Sequence, residues 1–209
     1  MFITLEGIEG SGKTSQIPEI VAFFREKGRT CIATREPGGT GIGKKIRSIL
    51  LDPESRGLVS MAELLLYNAD RVQHIDSVIR PHLEKGDIVL CDRFFDATLV
   101  YQGYARGLDL EMIRRLHLLT CGNMKPDLTL LLDLDPEIGL KRAWSDIDNG
   151  DRTGDESRFE EEKLDFHVRV RNGYLELAEI EPERFVIIDA AGERKQVSRR
   201  IKAILEKRI

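Results

Sequence analysis

FITLEGIEGSGKT, residues 2–14, decides how the rest of this chain is read. FITLE (2–6) is a short apolar run with β-branched residues, and from Lys13 to about residue 27 the apolar spacing becomes helical. Between them Gly7, Gly12, Lys13 and Thr14 satisfy G-x-x-x-x-G-K-[ST], in the strand–loop–helix context that the motif requires. A loop of Gly7, Ile8, Glu9, Gly10, Ser11 and Gly12 can turn its backbone N–H groups inward onto phosphate oxygens, and the helix N-terminus adds its partial positive charge. Lys13 then reaches the β- and γ-phosphates, and the Thr14 hydroxyl can ligate Mg²⁺. The stretch reads as a nucleotide-phosphate site, and Glu9 stands in it as an unexplained negative charge. By itself such a loop does not separate a GTPase, an ATPase, a motor or a kinase.

Outward from the loop, strand-like runs alternate with helical spacing. CIATR (31–35), DIVLC (87–91), LTLLLDL (128–134) and FVIID (185–189) follow the first run. The spacing predicts helices over roughly 13–27, 60–84, 108–121, 136–144, 158–179 and 193–208. Near-continuous hydrophobicity in the third and fourth runs predicts burial on both faces, as in a parallel sheet. This alternation is that of an α/β fold, with right-handed crossovers and ligands at the carboxyl ends of the strands.

The 209 residues suit one domain, residues 1–209, with 41% hydrophobic content and enough apolar mass for a core. A net charge of −4 argues against a protein that coats nucleic acid. Cys31, Cys91 and Cys121 lack CxxC spacing and read as free thiols in a reducing compartment. With no apolar run long enough to span a membrane and no signal-peptide pattern, the expected location is cytoplasmic. The four histidines, His74, His82, His117 and His167, show no metal spacing. SDIDNGDRTGDES (145–157) holds five acids and two glycines and reads as a mobile surface loop. Its calcium-like start fails in register: counted from Asp146, Asp151 occupies the sixth position, where Gly is needed, and Ser157 the twelfth, where Glu is needed.

The other strand ends supply a second set of groups. TREPGGT (34–40) and CDRFFDATLVYQG (91–103) put Arg35 and Arg93 just past carboxyl ends, each offering a fork for phosphate. Asp92 is placed to hold Mg²⁺ opposite Thr14. Tyr67 and Arg71 are spaced i, i+4, so a ring and a guanidinium would project together to stack on a base and bond its edge. Thr98 and Gln102, also i, i+4, add a hydroxyl and an amide.

FITLEGIEGSGKT, TREPGGT, LLLYNADR, DRFFDATLVYQG, LDLDPEIGLKRA and SRFEEE, taken in order, resemble the bacterial thymidylate kinases over nearly the whole chain. That resemblance implies the P-loop NTPase fold with a five-stranded parallel sheet flanked by helices and a mobile lid at about 142–158. It also implies a homodimer and the reaction ATP + dTMP → ADP + dTDP with Mg²⁺. By the same resemblance, Tyr67 stacks on thymine and Arg71 bonds its edge. Arg35 and Arg93 surround the acceptor phosphate, Thr98 and Gln102 lie on the thymine side, Tyr101 crowds the sugar, and Glu9 approaches it. Ala97 stands where the family commonly has Ser. The loop lacks the arginine that some members carry there, which sends the search for a catalytic cation to the lid. Arg158 is the leading candidate beside Lys13 and Arg93, with Arg142 and Arg152 as alternatives. A kinase for another monophosphate, or a non-catalytic nucleotide switch, would share the loop, although no NKxD guanine signature is present.

Overall fold

The structure, a computed structural model, describes residues 1–122, 124–149 and 156–208. All five expected runs become strands: β1 (Phe2–Glu6), β2 (Cys31–Arg35), β3 (Ile88–Asp92), β4 (Leu128–Asp133) and β5 (Phe185–Asp189). They form one parallel sheet in the order β2-β3-β1-β4-β5. β1 and β3 are buried at every residue, and β4 at all but its last. The edge strands β2 and β5 alternate with half-buried and exposed positions. Continuous apolar runs therefore mark strands covered by helices on both faces.

The helices are α1 (Lys13–Glu26), α2 (Gly41–Leu51), α3 (Ser60–His74), α4 (Arg80–Glu84), α5 (Phe95–Thr98), α6 (Leu110–Cys121), α7 (Pro136–Asp148), α8 (Leu164–Ile180) and α9 (Arg194–Arg208). The helix expected over 60–84 is α3 and α4 joined by a π-helical turn, Ile75–Ile79. A second π-helical stretch, Leu99–Ala105, continues α5. α2 was not anticipated, because GIGKKIRSILL opens with two glycines that argue against a helix. Thr40 caps it through the Gly43 N–H at 2.8 Å.

Two expectations near the lid need correction. α7 extends through residues 145–148, the start of the segment read as a loop. One stripe, with Gly139 and Ala143 buried and Ile147 half-buried, is enough to hold a helix whose other faces are polar. The helix expected from 158 begins only at Leu164. Ser157, Arg158, Phe159 and Glu160 are all buried, and four consecutive residues cannot share one helical stripe. Most of the expected loop, 150–155, with Arg152, lies outside the described residues.

Register sets the site. Asp92 pairs with Leu5 on one side and Arg35 on the other, which aligns the carboxyl ends of β1, β2 and β3. The chain leaves β1 toward β2 and leaves β3 toward β4, so the connections diverge at the β1–β3 crevice, where α/β sheets bind ligands.

Candidate active site

The loop after β1 is built from backbone conformations that side chains oppose. Gly7, Gly10 and Gly12 have φ of 140°, 67° and 88°. A Cβ on Gly10 would strike the carbonyl oxygen of Gly139, so α7 packs directly onto the loop backbone. Gly12 is the N-cap of α1 and offers no side-chain cap, and the first turn carries no acid. Its orphan N–H groups are therefore open to an anion. The Lys13 Nζ donates to the carbonyls of Gly7 and Ile8, both at 2.8 Å, and to the Ser11 hydroxyl at 3.2 Å. Burial, with the Arg93 guanidinium nearby, pushes this ammonium down to about 8.

The loop opens on a cavity of about 1080 Å³. Glu9, Gly10, Ser11, Gly12, Lys13 and Thr14 line it together with Arg35, Tyr67, Asp92, Arg93, Tyr101 and Gln102. Arg35 is exposed at the end of β2, and its guanidinium has no partner among the described residues. Arg93 adopts a left-handed backbone, φ 68°, just past β3, a strain that surrounding contacts must hold. Its Nη2 donates to Glu9 Oε1 at 2.8 Å and its Nη1 to the Tyr101 hydroxyl at 2.8 Å, and the guanidinium lies over the Tyr101 ring. The Tyr101 hydroxyl donates to the same Glu9 oxygen at 2.6 Å. Burial works against the Glu9 charge, but Arg93 and His167 hold its carboxyl well below the usual range. The misplaced charge of the loop is thus half of a buried ion pair.

The structure does not bring Arg71, Thr98 or Arg158 to the cavity wall. Tyr67 and Arg71 do not project together: the ring lines the cavity, whereas Arg71 is 1% exposed. Arg71 Nε donates to Glu36 Oε2 at 2.8 Å and Nη2 to the Thr98 hydroxyl at 2.7 Å. A buried carboxylate requires a cation, and Glu36 takes this one, with His74 at 2.9 Å on its other oxygen. Arg158 is likewise claimed by the fully buried Glu63 and by the Leu50 carbonyl at 2.7 Å. Gln102 donates to Glu63 from the cavity side at 2.8 Å. Of the lid arginines among the described residues, Arg142 lines the cavity, donating to the carbonyls of Ala190 and Ala191 at 3.0 and 2.9 Å.

Several groups escaped sequence reading. Arg47 of α2 forms a two-point pair with Glu156 at 2.8 and 2.6 Å, closing one side of the cavity. On α8, the Tyr174 hydroxyl donates to Glu6 Oε2 at 2.7 Å, and burial with Asp96 pushes the Glu6 carboxyl up to about 8. His167 sits beside Glu9. These partners lie 109 to 168 residues apart, so no local pattern announces them.

The donor set suits a hard cation. Asp92 Oδ1 is buried without a hydrogen-bond partner, and it lines the same cavity as the exposed Thr14. A carboxylate and a hydroxyl with room for phosphate oxygens and water match the needs of Mg²⁺. No group of three or more His, Cys, Asp or Glu side chains able to hold a metal occurs among the described residues, so the remaining ligands would come from nucleotide and water.

Comparison with known proteins gives the chain's family. Residues 5–201 match the family model described as Thymidylate kinase. The chain is 56% identical over 207 residues to a thymidylate kinase of Desulfosudis oleivorans, covering 99% of this chain and 97% of that one. It is 54% identical over 209 residues to a thymidylate kinase of Desulforapulum autotrophicum, covering 100% and 92%. The crystal structure of thymidylate kinase from Ehrlichia chaffeensis, 33% identical, superposes with a TM-score of 0.78 over 99% of this chain and 98% of that one.

Proposed function

The chain belongs to the thymidylate kinase family, its reaction is phosphorylation of dTMP by ATP to dTDP and ADP, and from that premise we propose how its residues divide the work. The observation that supports the division is the single cavity walled by both the phosphate loop and the strand-end arginines.

Gly7–Thr14 bind the ATP phosphates, with Lys13 leaving its carbonyl partners for the β- and γ-oxygens. Thr14 and Asp92 hold Mg²⁺, which when bound neutralises phosphate charge. Arg142 serves the ATP side at the turn after β5. Arg35 and Arg93 take the acceptor phosphate, and Lys13 and Arg93 flank the transferring group, where charge develops. Glu9 and Tyr101 face the acceptor's sugar and Tyr67 stacks on thymine. Gln102 lies on the base side, while Arg71 and Thr98 stand behind the wall and act on the base only if its binding opens a way to the Arg71 Nη1, which has no protein acceptor among the described residues. A lid of about residues 142–158 excludes water. In the described conformation Arg158 is an anchor, and it meets the phosphoryl group only by exchanging Glu63 for it, Arg106 remaining behind with Glu63.

The chain acts as one domain, paired into a homodimer. The exposed apolar side chains of α2, α3 and α6 support that pairing. Three free thiols support a cytoplasmic location. The test is ADP release measured with dTMP, dUMP and dCMP as acceptors. dTMP should exceed dUMP by about tenfold or more, the scale of one methyl group, and dCMP by far more, since a wrong base edge leaves buried polar groups unpaired. Equal rates for the three would refute the base-side assignments.

A further inference from the structure

We infer that His167 is a positioning residue for the acceptor nucleotide, fixing the plane of the Glu9 carboxylate from behind. This rests on the reading of Glu9 as the group that faces the acceptor's sugar. His167 lies in the first turns of α8, is fully buried, and does not line the cavity. Its Nδ1 stands 3.2 Å from Glu9 Oε2, from across 158 residues of chain. Because a carboxylate only accepts, Nδ1 carries the hydrogen of this bond.

The chemistry of Glu9 shows what the bond does. An ionised carboxylate offers about four acceptor directions. Oε1 spends its two on Arg93 Nη2 and the Tyr101 hydroxyl. Oε2 gives one to His167, and one remains for a donor arriving in the cavity, such as a sugar hydroxyl. The terminal carboxylate torsion is a broad, soft one. Rotation about that bond carries both oxygens, so the two donors on Oε1 resist it from one edge of the carboxylate and His167, on Oε2, resists it from the other.

The ring has no other polar reason to be histidine. Its Nε2 is buried and lacks a hydrogen-bond partner, and its neighbour Phe166 meets it edge-on at 5.5 Å. Among the described residues, the one hydrogen bond that phenylalanine could not reproduce here is the bond to Glu9. A purely space-filling role would be served as well, or better, by an apolar ring.

The experiment compares His167→Phe, His167→Asn and Glu9→Gln by steady-state kinetics and thermal melting. Asparagine sets an N–H close to the position of Nδ1, whereas phenylalanine keeps the volume without the donor. His167→Phe should raise KM for dTMP about tenfold, the scale of a hydrogen bond to a charged group, with KM for ATP and the melting temperature close to wild type. His167→Asn should recover most of that loss. In the Glu9→Gln background, adding His167→Phe should change KM for dTMP by less than about twofold, since coupled partners are non-additive. If Glu9→Gln leaves KM for dTMP unchanged, the assignment of Glu9 to the acceptor fails and His167 falls with it. If Glu9→Gln raises it and His167→Phe does not, or if the two His167 variants behave alike, the positioning role alone is overturned. Should His167→Phe not fold, His167→Leu is the second donorless variant and reads the same split.

Discussion

Burial and the Arg93 guanidinium leave Lys13 with an ammonium that titrates near 8, and this has a consequence for binding. Phosphate oxygens favour the charged form, so bound ATP raises that value. Between the two values binding must take up a proton. Titration calorimetry in buffers of different ionisation enthalpy should show uptake near zero below about pH 7, rising toward one proton above about pH 9. ATP affinity should correspondingly fall by about tenfold per pH unit above 8 until the bound-state value is reached. Buffer-independent enthalpies throughout would mean that the lysine stays charged in the free enzyme. Sequence reading found this lysine because its role is local: four residues carry the motif within the eight from Gly7 to Thr14. It could not find that Glu36 occupies Arg71, or that Glu63 occupies Arg158, because these partners lie 35 and 95 residues apart and meet only in the fold. An i, i+4 spacing places two side chains on one face of a helix, but the nearest buried charge decides where the longer one points.

Among the elements, strands were the most legible: β1, β3 and β4 are buried on both faces, and β3 and β4 betray this as near-continuous apolar runs. Helices with weak or glycine-rich stripes, such as α2, were not, and neither was the π-helical stretch that places Tyr101 and Gln102 in the cavity. The segment before α8 was mistaken for helix, and there the structure changes an expected role. Arg158 fastens this segment to α2 through the Leu50 carbonyl and to α3 through Glu63. Removing one partner of a buried pair costs about 3–5 kcal/mol. Arg158→Ala should therefore lower the melting temperature, on the order of 10 °C for a chain of this size. Glu63→Gln should lower it less, since an amide can still accept from Arg158. The converse pattern, unchanged melting with turnover down by several orders of magnitude, would show that the arginine leaves Glu63 and serves the phosphoryl group.

For the molecule as a whole, α3 ties the base side of the cavity to an outer surface. Its inner face carries Tyr67 on the cavity wall and the buried Asp70 and Arg71, while Leu65 points outward at 51% exposure. Ile42 and Ile49 of α2, at 56% and 48%, and Leu118 and Leu119 of α6, at 58% and 83%, are also exposed on helices that pack against α3. Large apolar side chains left exposed on three neighbouring helices are what a self-complementary two-fold face would use. If two copies join there, α3 is clamped between the partner and its own acceptor site. Sedimentation should give a dimer for the wild type and a monomer for Leu65→Glu/Leu119→Glu, since like charges would be buried against each other at the face. Because the clamp acts on α3 and not on the phosphate loop, the monomer should show a raised KM for dTMP with KM for ATP little changed. A wild-type monomer at tens of micromolar, or a charged variant that still dimerises, would move the interface elsewhere. A monomer with wild-type dTMP kinetics would leave α3 rigid without its partner, and the coupling between dimer and base site would be lost.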